Sequence, residues 1–158
     1  MKIQPLAERD PKPTLMLMAG LPYSGKSTLA REMDAPIVNP DAIRVALHGQ
    51  RYAQTAEPMV WAIAQYMVRS LFLAGHDHVI VDACNATRRR MSEWLSSDWK
   101  LEAVLLPEPP EVCRSRAIAA GDDAILPVID RMAQAWDHGA FEKDTSYPLT
   151  ISPAEPTT

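Results

Sequence analysis

Apolar and polar positions along the chain follow two alternating patterns. Short apolar runs of strand length recur through the sequence, and longer segments with apolar residues at helical spacing separate them. The predicted strands cover residues 14–19, 35–39, 78–82, 101–106 and 147–151. The predicted helices cover residues 27–33, 41–48, 58–74, 88–96, 109–120 and 127–136. This alternation predicts an α/β fold with a parallel sheet flanked by helices.

The loop after the first predicted strand contains the motif G-x-x-x-x-G-K-[ST], from Gly20 to Ser27. Glycines let the backbone approach phosphate oxygens closely, and the following helix presents free N–H groups and a partial positive charge. Lys26 would reach the β- and γ-phosphates, and Ser27 would bind Mg²⁺. A chance match is a poor alternative because a strand precedes the motif and a helix follows it. The predicted nucleotide-binding residues are Gly20, Tyr23, Ser24, Gly25, Lys26, Ser27 and Thr28.

Two aspartates follow other predicted strands, and the loops after parallel strands gather at one edge of the sheet. Asp41 would accept the proton of an acceptor hydroxyl, or serve only as a helix N-cap. Arg44 lies one turn later and would hold an anionic part of the acceptor, or stay at the surface. Asp82 ends an apolar strand and is predicted to support Mg²⁺ with Ser27, the alternative being a capping aspartate.

Several arginines follow later in the chain. Arg114 and Arg116 lie on the helix before Gly121, where they would close over the phosphates as a lid or face solvent. Arg88, Arg89 and Arg90 begin another helix, and a solvated face is the simpler interpretation.

Composition limits the class of protein. The 158 residues carry a net charge of −4, with 47% hydrophobic and 23% charged residues, which is typical of one soluble domain. No apolar run approaches the roughly 20 residues of a membrane span, and the first residues lack a signal-peptide core, so a cytoplasmic protein is expected. The predicted organisation is a flexible lead-in over 1–12, one folded P-loop domain over 13–151 and a flexible tail over 152–158. Cys84 and Cys113 have no metal-type spacing and are expected to be unpaired.

Four stretches together resemble the P-loop kinase family of phage-type polynucleotide 5′-hydroxyl kinases and their small bacterial relatives. They cover residues 14 to 137. The stretches are 20–28, the N-x-D-x-x-R sequence of 39–44, the V-D-x-x-N-x-T sequence of 81–90, and 111–116 with 127–132. The resemblance implies a P-loop NTPase three-layer sandwich with a short helical lid.

The resemblance also implies residue roles. Asp41 would be the general base, Arg44 would bind acceptor phosphate, and Arg116 would be a lid arginine near the donor phosphates. ATP and Mg²⁺ are the implied cofactors, and the preferred acceptor is the 5′-hydroxyl of a nucleic-acid end. Cys84 replaces a threonine of the family, and Ala120 stands near the place of a second lid arginine.

Two alternatives stay open at this point. The first is a small-molecule kinase of the same fold, acting on a nucleoside, sugar, antibiotic or sugar-nucleotide. The acidic net charge of the chain favours it. The second is a non-catalytic ATP-binding switch, which the altered lid leaves possible.

Overall fold

The structure is a computed structural model, and it describes residues 4–51, 57–85, 87–136 and 149–151. Strands and helices alternate along these residues. The strands are β1 (Thr14–Ala19), β2 (Ile37–Val38), β3 (His78–Asp82), β4 (Lys100–Leu105) and β5 (Leu149–Ile151). The helices are α1 (Lys26–Glu32), α2 (Pro40–His48), α3 (Glu57–Leu73), α4 (Arg88–Ser92), α5 (Pro110–Ala119) and α6 (Leu126–Ala135). The predicted α/β class is confirmed.

The strands form one parallel sheet in the order β2-β3-β1-β4-β5. The central strand β1 pairs with β3 and β4 on its two sides, and Thr14 lies level with His78 and Lys100. Every residue of β1 is buried, as expected for a strand covered on both faces. All five strands run the same way, so the loops that follow β1, β2 and β3 lie at one edge.

Each face of the sheet has its own apolar core. Leu15 and Leu17 point to the face covered by α3, which contributes Val60, Ala64 and Val68. Met16 and Met18, the alternate residues of β1, point to the other face, where Ala30 of α1 packs. A third cluster joins α5 and α6 beside Leu21 of the loop after β1. Helix, sheet and helix make the three layers that were predicted.

The described part of the predicted lead-in packs on the body of the protein. Leu6 begins a 3-10 turn and is only 3% exposed within the core under α3. The Arg9 guanidinium donates to the backbone oxygens of Phe72 and His76, both at 3.1 Å, and pairs with Asp77. These contacts join residues 6–9 of the predicted lead-in to the end of α3. The predicted tail, 152–158, lies outside the described residues.

Element boundaries differ from the prediction in a few places. α2 begins at Pro40 with Asn39 as its N-cap, so Asp41 is not the cap. Thr87 caps α4 as predicted, but this helix ends at Ser92 rather than near residue 96. Gly49 ends α2 with a φ of 67°, as expected for a left-handed C-cap.

Within the described ranges, no helix is both long and apolar enough to cross a bilayer.

Candidate active site

The loop between β1 and α1 is tightly folded. Tyr23 and Gly25 have φ values of 63° and 97°, in the left-handed region. A Cβ atom on Gly20 would lie 2.6 Å from Ser24 Oγ and 3.2 Å from the Leu106 backbone oxygen, so a side chain there would force its neighbours to shift. The Ser24 hydroxyl is buried without a hydrogen-bond partner among the described residues. The loop therefore keeps a polar group and backbone N–H donors available for a ligand.

Lys26 opens α1 directly after Gly25. Its side chain is 7% exposed, and Nζ donates to the Leu21 backbone oxygen at 2.7 Å. This hydrogen bond folds the side chain back across the loop. A buried ammonium at the start of a helix is suited to hold phosphate oxygens, which would replace the carbonyl as partner.

Ser27 and Asp82 form the oxygen pair predicted for Mg²⁺. The Ser27 hydroxyl donates to Asp82 Oδ2 at 2.7 Å, although the two residues lie on different elements, α1 and β3. Asn39 Nδ2 lies 3.4 Å from the same oxygen. Mg²⁺ prefers oxygen ligands and keeps several waters or phosphate oxygens, so a hydroxyl and a carboxylate fit it. The described residues contain no group of three His, Cys, Asp or Glu that could hold a metal without such added ligands.

The acceptor side is built on α2 and the start of α3. The Asn39 side chain caps α2 by accepting from the backbone N–H groups of Asp41 and Ala42. Asp41 lies in the first turn with its side chain 58% exposed, and the Arg44 guanidinium pairs with it. The carboxylate is therefore oriented from one side and open on the other.

Arg44 is held from a second direction by Glu57. Arg44 Nε donates to Glu57 Oε1 at 2.5 Å, and Nη2 donates to Oε2 at 2.8 Å. This bidentate pair raises the pKa of Arg44 and lowers the pKa of Glu57, with burial acting against both shifts. The predicted surface alternative for Arg44 is wrong, since the residue is only 8% exposed.

An aromatic residue extends this network. Trp61 Nε1 donates to Glu57 Oε2 at 3.2 Å. The Arg90 guanidinium carbon lies 4.7 Å from the centre of the Trp61 ring, a cation–π distance. Arg90 therefore lines the cleft, whereas the run of three arginines was expected to form a solvated face.

The two predicted lid arginines behave differently. Arg116 Nη1 donates to the backbone oxygen of Tyr23 at 3.1 Å, and its Nη2 lies 3.4 Å from Glu108. Arg114 instead pairs with Asp130 of α6 at 2.6 Å and does not line the cleft. The prediction that Arg114 contacts the nucleotide therefore disagrees with this geometry, because its helix turns that side chain toward α6.

Asp122 ties the loop after β1 to two distant segments. Tyr23 Oη donates to Asp122 Oδ2 at 2.9 Å, and Arg51 Nη1 lies 3.1 Å from the same oxygen. The hydrogen bond to Asp122 raises the pKa of the Tyr23 phenol. Three segments that lie far apart in the chain therefore meet at one carboxylate beside the phosphate loop.

One continuous cleft of about 1010 Å³ joins the two halves. Its lining includes most predicted site residues, whereas Gly20 lies beneath the surface and Arg114 lies outside. The predicted residues that line it are Tyr23, Ser24, Gly25, Lys26, Ser27, Thr28, Asp41, Arg44, Asp82 and Arg116. Glu57 and Trp61 also line it and were missed. Their spacing of four residues at the start of a helix places them on one face, the only sequence feature that singles them out.

Cys84 also lines the cleft, near Lys26. Burial raises the pKa of its thiol, and the Lys26 ammonium only partly opposes that effect. The thiol is therefore expected to stay protonated near neutral pH and to act as a small wall residue.

The geometry agrees with comparisons to known proteins. Two structures of the Pnkp1/Rnl/Hen1 complex contain similar chains. One is 26% identical with a TM-score of 0.58, over 66% of this chain and 39% of that chain. The other, described as an RNA repair complex, is 21% identical with a TM-score of 0.69, over 92% and 51%. This chain thus spans about half the length of those chains or less.

A smaller protein is similar in size as well as fold. A gluconokinase from Sinorhizobium meliloti 1021 is 18% identical with a TM-score of 0.61, over 91% of this chain and 85% of that chain. No curated protein matches the sequence. Residues 15–136 match a family model described as an AAA domain, which covers well over half of the chain. The chain therefore belongs to this AAA domain family and has the P-loop kinase fold.

Proposed function

We propose that this protein is an ATP-dependent phosphotransferase that moves the γ-phosphate of ATP to a hydroxyl group. The observation that carries the proposal is the single cleft lined at one end by the phosphate loop and at the other by Asp41 and Arg44. The volume of about 1010 Å³ lies at the upper end of the roughly 300–1,000 Å³ that is common for ligand pockets.

The donor half would bind ATP and Mg²⁺. The loop N–H groups and Lys26 would hold the phosphates, and Arg116 would approach them from the lid side. Ser27 and Asp82 would hold Mg²⁺, which neutralises charge on the β- and γ-phosphates when bound. The 2.7 Å separation of their oxygens supports this role. Arg114 is not included, because Asp130 already pairs with it.

The acceptor half would activate the hydroxyl. Asp41 accepts its proton while the hydroxyl oxygen attacks the γ-phosphorus, and the bond from that phosphorus to the β–γ bridging oxygen breaks. The products are the phosphorylated acceptor and ADP. The pair with Arg44 orients the Asp41 carboxylate, and the exposed side of the carboxylate faces the space left for the acceptor.

The preferred acceptor is the 5′-hydroxyl of a nucleic-acid end. Three features of the cleft support it: the aromatic ring of Trp61 and the guanidinium groups of Arg51 and Arg90. Aromatic rings stack on bases, and arginines contact phosphates and base faces. The similarity to a chain of an RNA repair complex points in the same direction.

A transfer assay tests the proposal. The protein is incubated with γ-labelled ATP, Mg²⁺ and, separately, a 5′-hydroxyl oligonucleotide, a nucleoside panel, gluconate and water. We expect label on the oligonucleotide. The Asp41→Asn variant should lose transfer by roughly 10²- to 10⁴-fold, whereas Asp123→Asn, a change at an exposed aspartate, should not. Undiminished transfer by Asp41→Asn would exclude Asp41 as the base.

A small-molecule kinase is the second candidate, and Arg44 provides the observation that favours it. Its guanidinium already binds two carboxylates, Asp41 and Glu57, so it offers little free charge to an acceptor phosphate. A nucleoside or sugar acceptor needs no such contact. Label on a member of the small-molecule panel, with none on the oligonucleotide, would select this function.

A non-catalytic switch is the third candidate. Ala120 and the outward pairing of Arg114 leave Arg116 as the lid arginine that lines the described cleft. Tight ATP binding by calorimetry, with no label on any acceptor, would select it. In each case Lys26→Ala is expected to lose most ATP affinity, and unchanged affinity in that variant would overturn the nucleotide site itself.

A further inference from the structure

A second cavity adjoins the cleft on its acceptor side. It measures about 420 Å³ and shares three residues with the cleft: Glu57, Trp61 and Arg90. The rest of its lining comes from the exposed side of α3 and from the end of α4: Pro58, Ala62, Gln65 and Glu93. It is wide open to solvent, which suits one planar group lying against a surface rather than an enclosed ligand.

The shared wall is an ordered aromatic surface. The Trp61 indole N–H is fixed by Glu57, and its ring packs edge-on against Trp94 with 6.0 Å between the ring centres. Trp94 is only 1% exposed, so it anchors the ring from the core. Arg90 lies over the ring and is itself paired with Glu93 at 3.2 Å. Stacking costs little entropy on a surface already held in this way.

The charges around this cavity discriminate between ligand classes. Each of the two carboxylates in its lining is paired with a guanidinium, Glu57 with Arg44 and Glu93 with Arg90. A phosphate group there would therefore find both of these guanidinium groups already bound to carboxylates. A neutral planar ring with N–H donors suits the cavity better, because it can stack on the Trp61–Arg90 pair and donate to a carboxylate.

We propose that this cavity is a nucleobase subsite for the phosphoryl acceptor. The inference deepens the proposed function and rests on it. A series of contacts leads from the hydroxyl position to the subsite: Asp41 pairs with Arg44, Arg44 with Glu57, and Glu57 with Trp61. Asp41 and Trp61 also line the same cleft, so an acceptor whose hydroxyl lies at Asp41 has a continuous path along which one of its bases could reach Trp61. The bases of a nucleic-acid end are the neutral planar rings available for that position.

Binding of abasic oligonucleotides tests the subsite without depending on catalysis. The probes are 5′-hydroxyl hexanucleotides with a 3′ fluorophore, either intact or lacking the base at position 1, 2 or 3. Affinity is measured by anisotropy with a non-hydrolysable ATP analogue present. For the native protein, removal of the base at one position should weaken binding roughly 5- to 150-fold, the range for one stacked base.

The Trp61→Ala variant should bind the intact probe as weakly as the native protein binds that abasic probe, with no further loss on base removal. Tyr66→Ala is the matched control, since Tyr66 lies on the same helix and is 76% exposed. Arg90→Gln, which leaves the Trp61 ring in place, should weaken binding less, and the loss should depend on the base at the same position. This variant replaces Trp61→Ala in the experiment if circular dichroism shows that Trp61→Ala does not fold.

The outcomes separate this inference from the proposed function. Equal weakening of all probes by Trp61→Ala, or no sensitivity to any missing base, overturns the subsite. Base-dependent binding without transfer to any acceptor supports the subsite and overturns the kinase. Transfer to a sugar with no oligonucleotide binding overturns the subsite and leaves the kinase.

Discussion

The pair between Arg44 and Glu57 should be among the few surface-adjacent ion pairs that matter for stability. Its side chains are 10% and 29% exposed, and two hydrogen bonds join them at 2.5 and 2.8 Å. Hydrogen bonds to charged groups contribute roughly 1.5–3 kcal/mol each, and desolvation of both groups offsets part of that. We therefore expect a coupling free energy of about 2 kcal/mol.

The chain offers a matched control in the pair of Arg114 with Asp130. Its distances are as short, at 2.6 Å to each carboxylate oxygen, but its side chains are 37% and 51% exposed. Exposed pairs contribute about 0.2–1 kcal/mol because water and salt screen them. The distances are similar in the two pairs, but Arg114 uses one nitrogen where Arg44 uses two, so burial and the number of donors together should account for the difference.

Two double-mutant cycles measure these values. Arg44→Ala and Glu57→Ala, alone and together, are unfolded in urea and compared with Arg114→Ala and Asp130→Ala treated in the same way. The Arg44–Glu57 coupling should exceed the control coupling by at least about 1 kcal/mol and should fall less in 0.5 M salt. Equal couplings in the two cycles would refute the argument from burial.

Three further outcomes are expected. Gly20→Ala should destabilise the protein by about 1–3 kcal/mol and weaken ATP binding in calorimetry, because its Cβ would lie 2.6 Å from Ser24 Oγ; Ser24→Ala in the same chain should recover part of the loss. Leu6→Ala should lower the free energy of unfolding in urea by about 2–5 kcal/mol, because Leu6 is buried. Leu95→Ala should lower it by under about 0.5 kcal/mol, because the Leu95 side chain is 57% exposed. Arg44 lowers the pKa of Glu57 from its ordinary 4.5, so the stability this shift provides is full above pH 4.5 and lost as pH falls through the lowered pKa. Glu57→Gln should therefore flatten the pH dependence of stability below pH 4.5, and an unchanged slope there would contradict the shift.

The donor half of the site could be predicted from sequence because its determinants are local. β1, the glycine loop and α1 follow one another within residues 14–32, and each has its own pattern: an apolar run, fixed glycine spacing and helical continuation. The position of Asp82 followed from the rule that parallel strands end at one edge. Its contact with Ser27 spans 55 positions yet needed no knowledge of packing beyond that rule.

The acceptor half depended on contacts that sequence patterns do not contain. Glu57 binds Arg44 because α2 packs beside the start of α3, and no local rule sets that approach. The orientation of Arg114 toward Asp130 follows from how α5 packs on α6. The cap of α2 is a different kind of error: Asn39 and Asp41 are both good caps, and the fixed φ of Pro40 suits the first helical position, which places the cap at Asn39.

Asn39 has a consequence that reaches beyond helix capping. Its carboxamide oxygen holds the first turn of α2, which bears Asp41, while its nitrogen lies 3.4 Å from Asp82. One planar amide group thus contacts both the helical turn that carries the proposed proton acceptor and the proposed magnesium ligand. Serine at this position would keep the cap and lose the contact with Asp82, and aspartate would set a second negative charge against Asp82. In the proposed reaction, the relative placement of the base and the metal ligand would therefore depend on a single amide side chain.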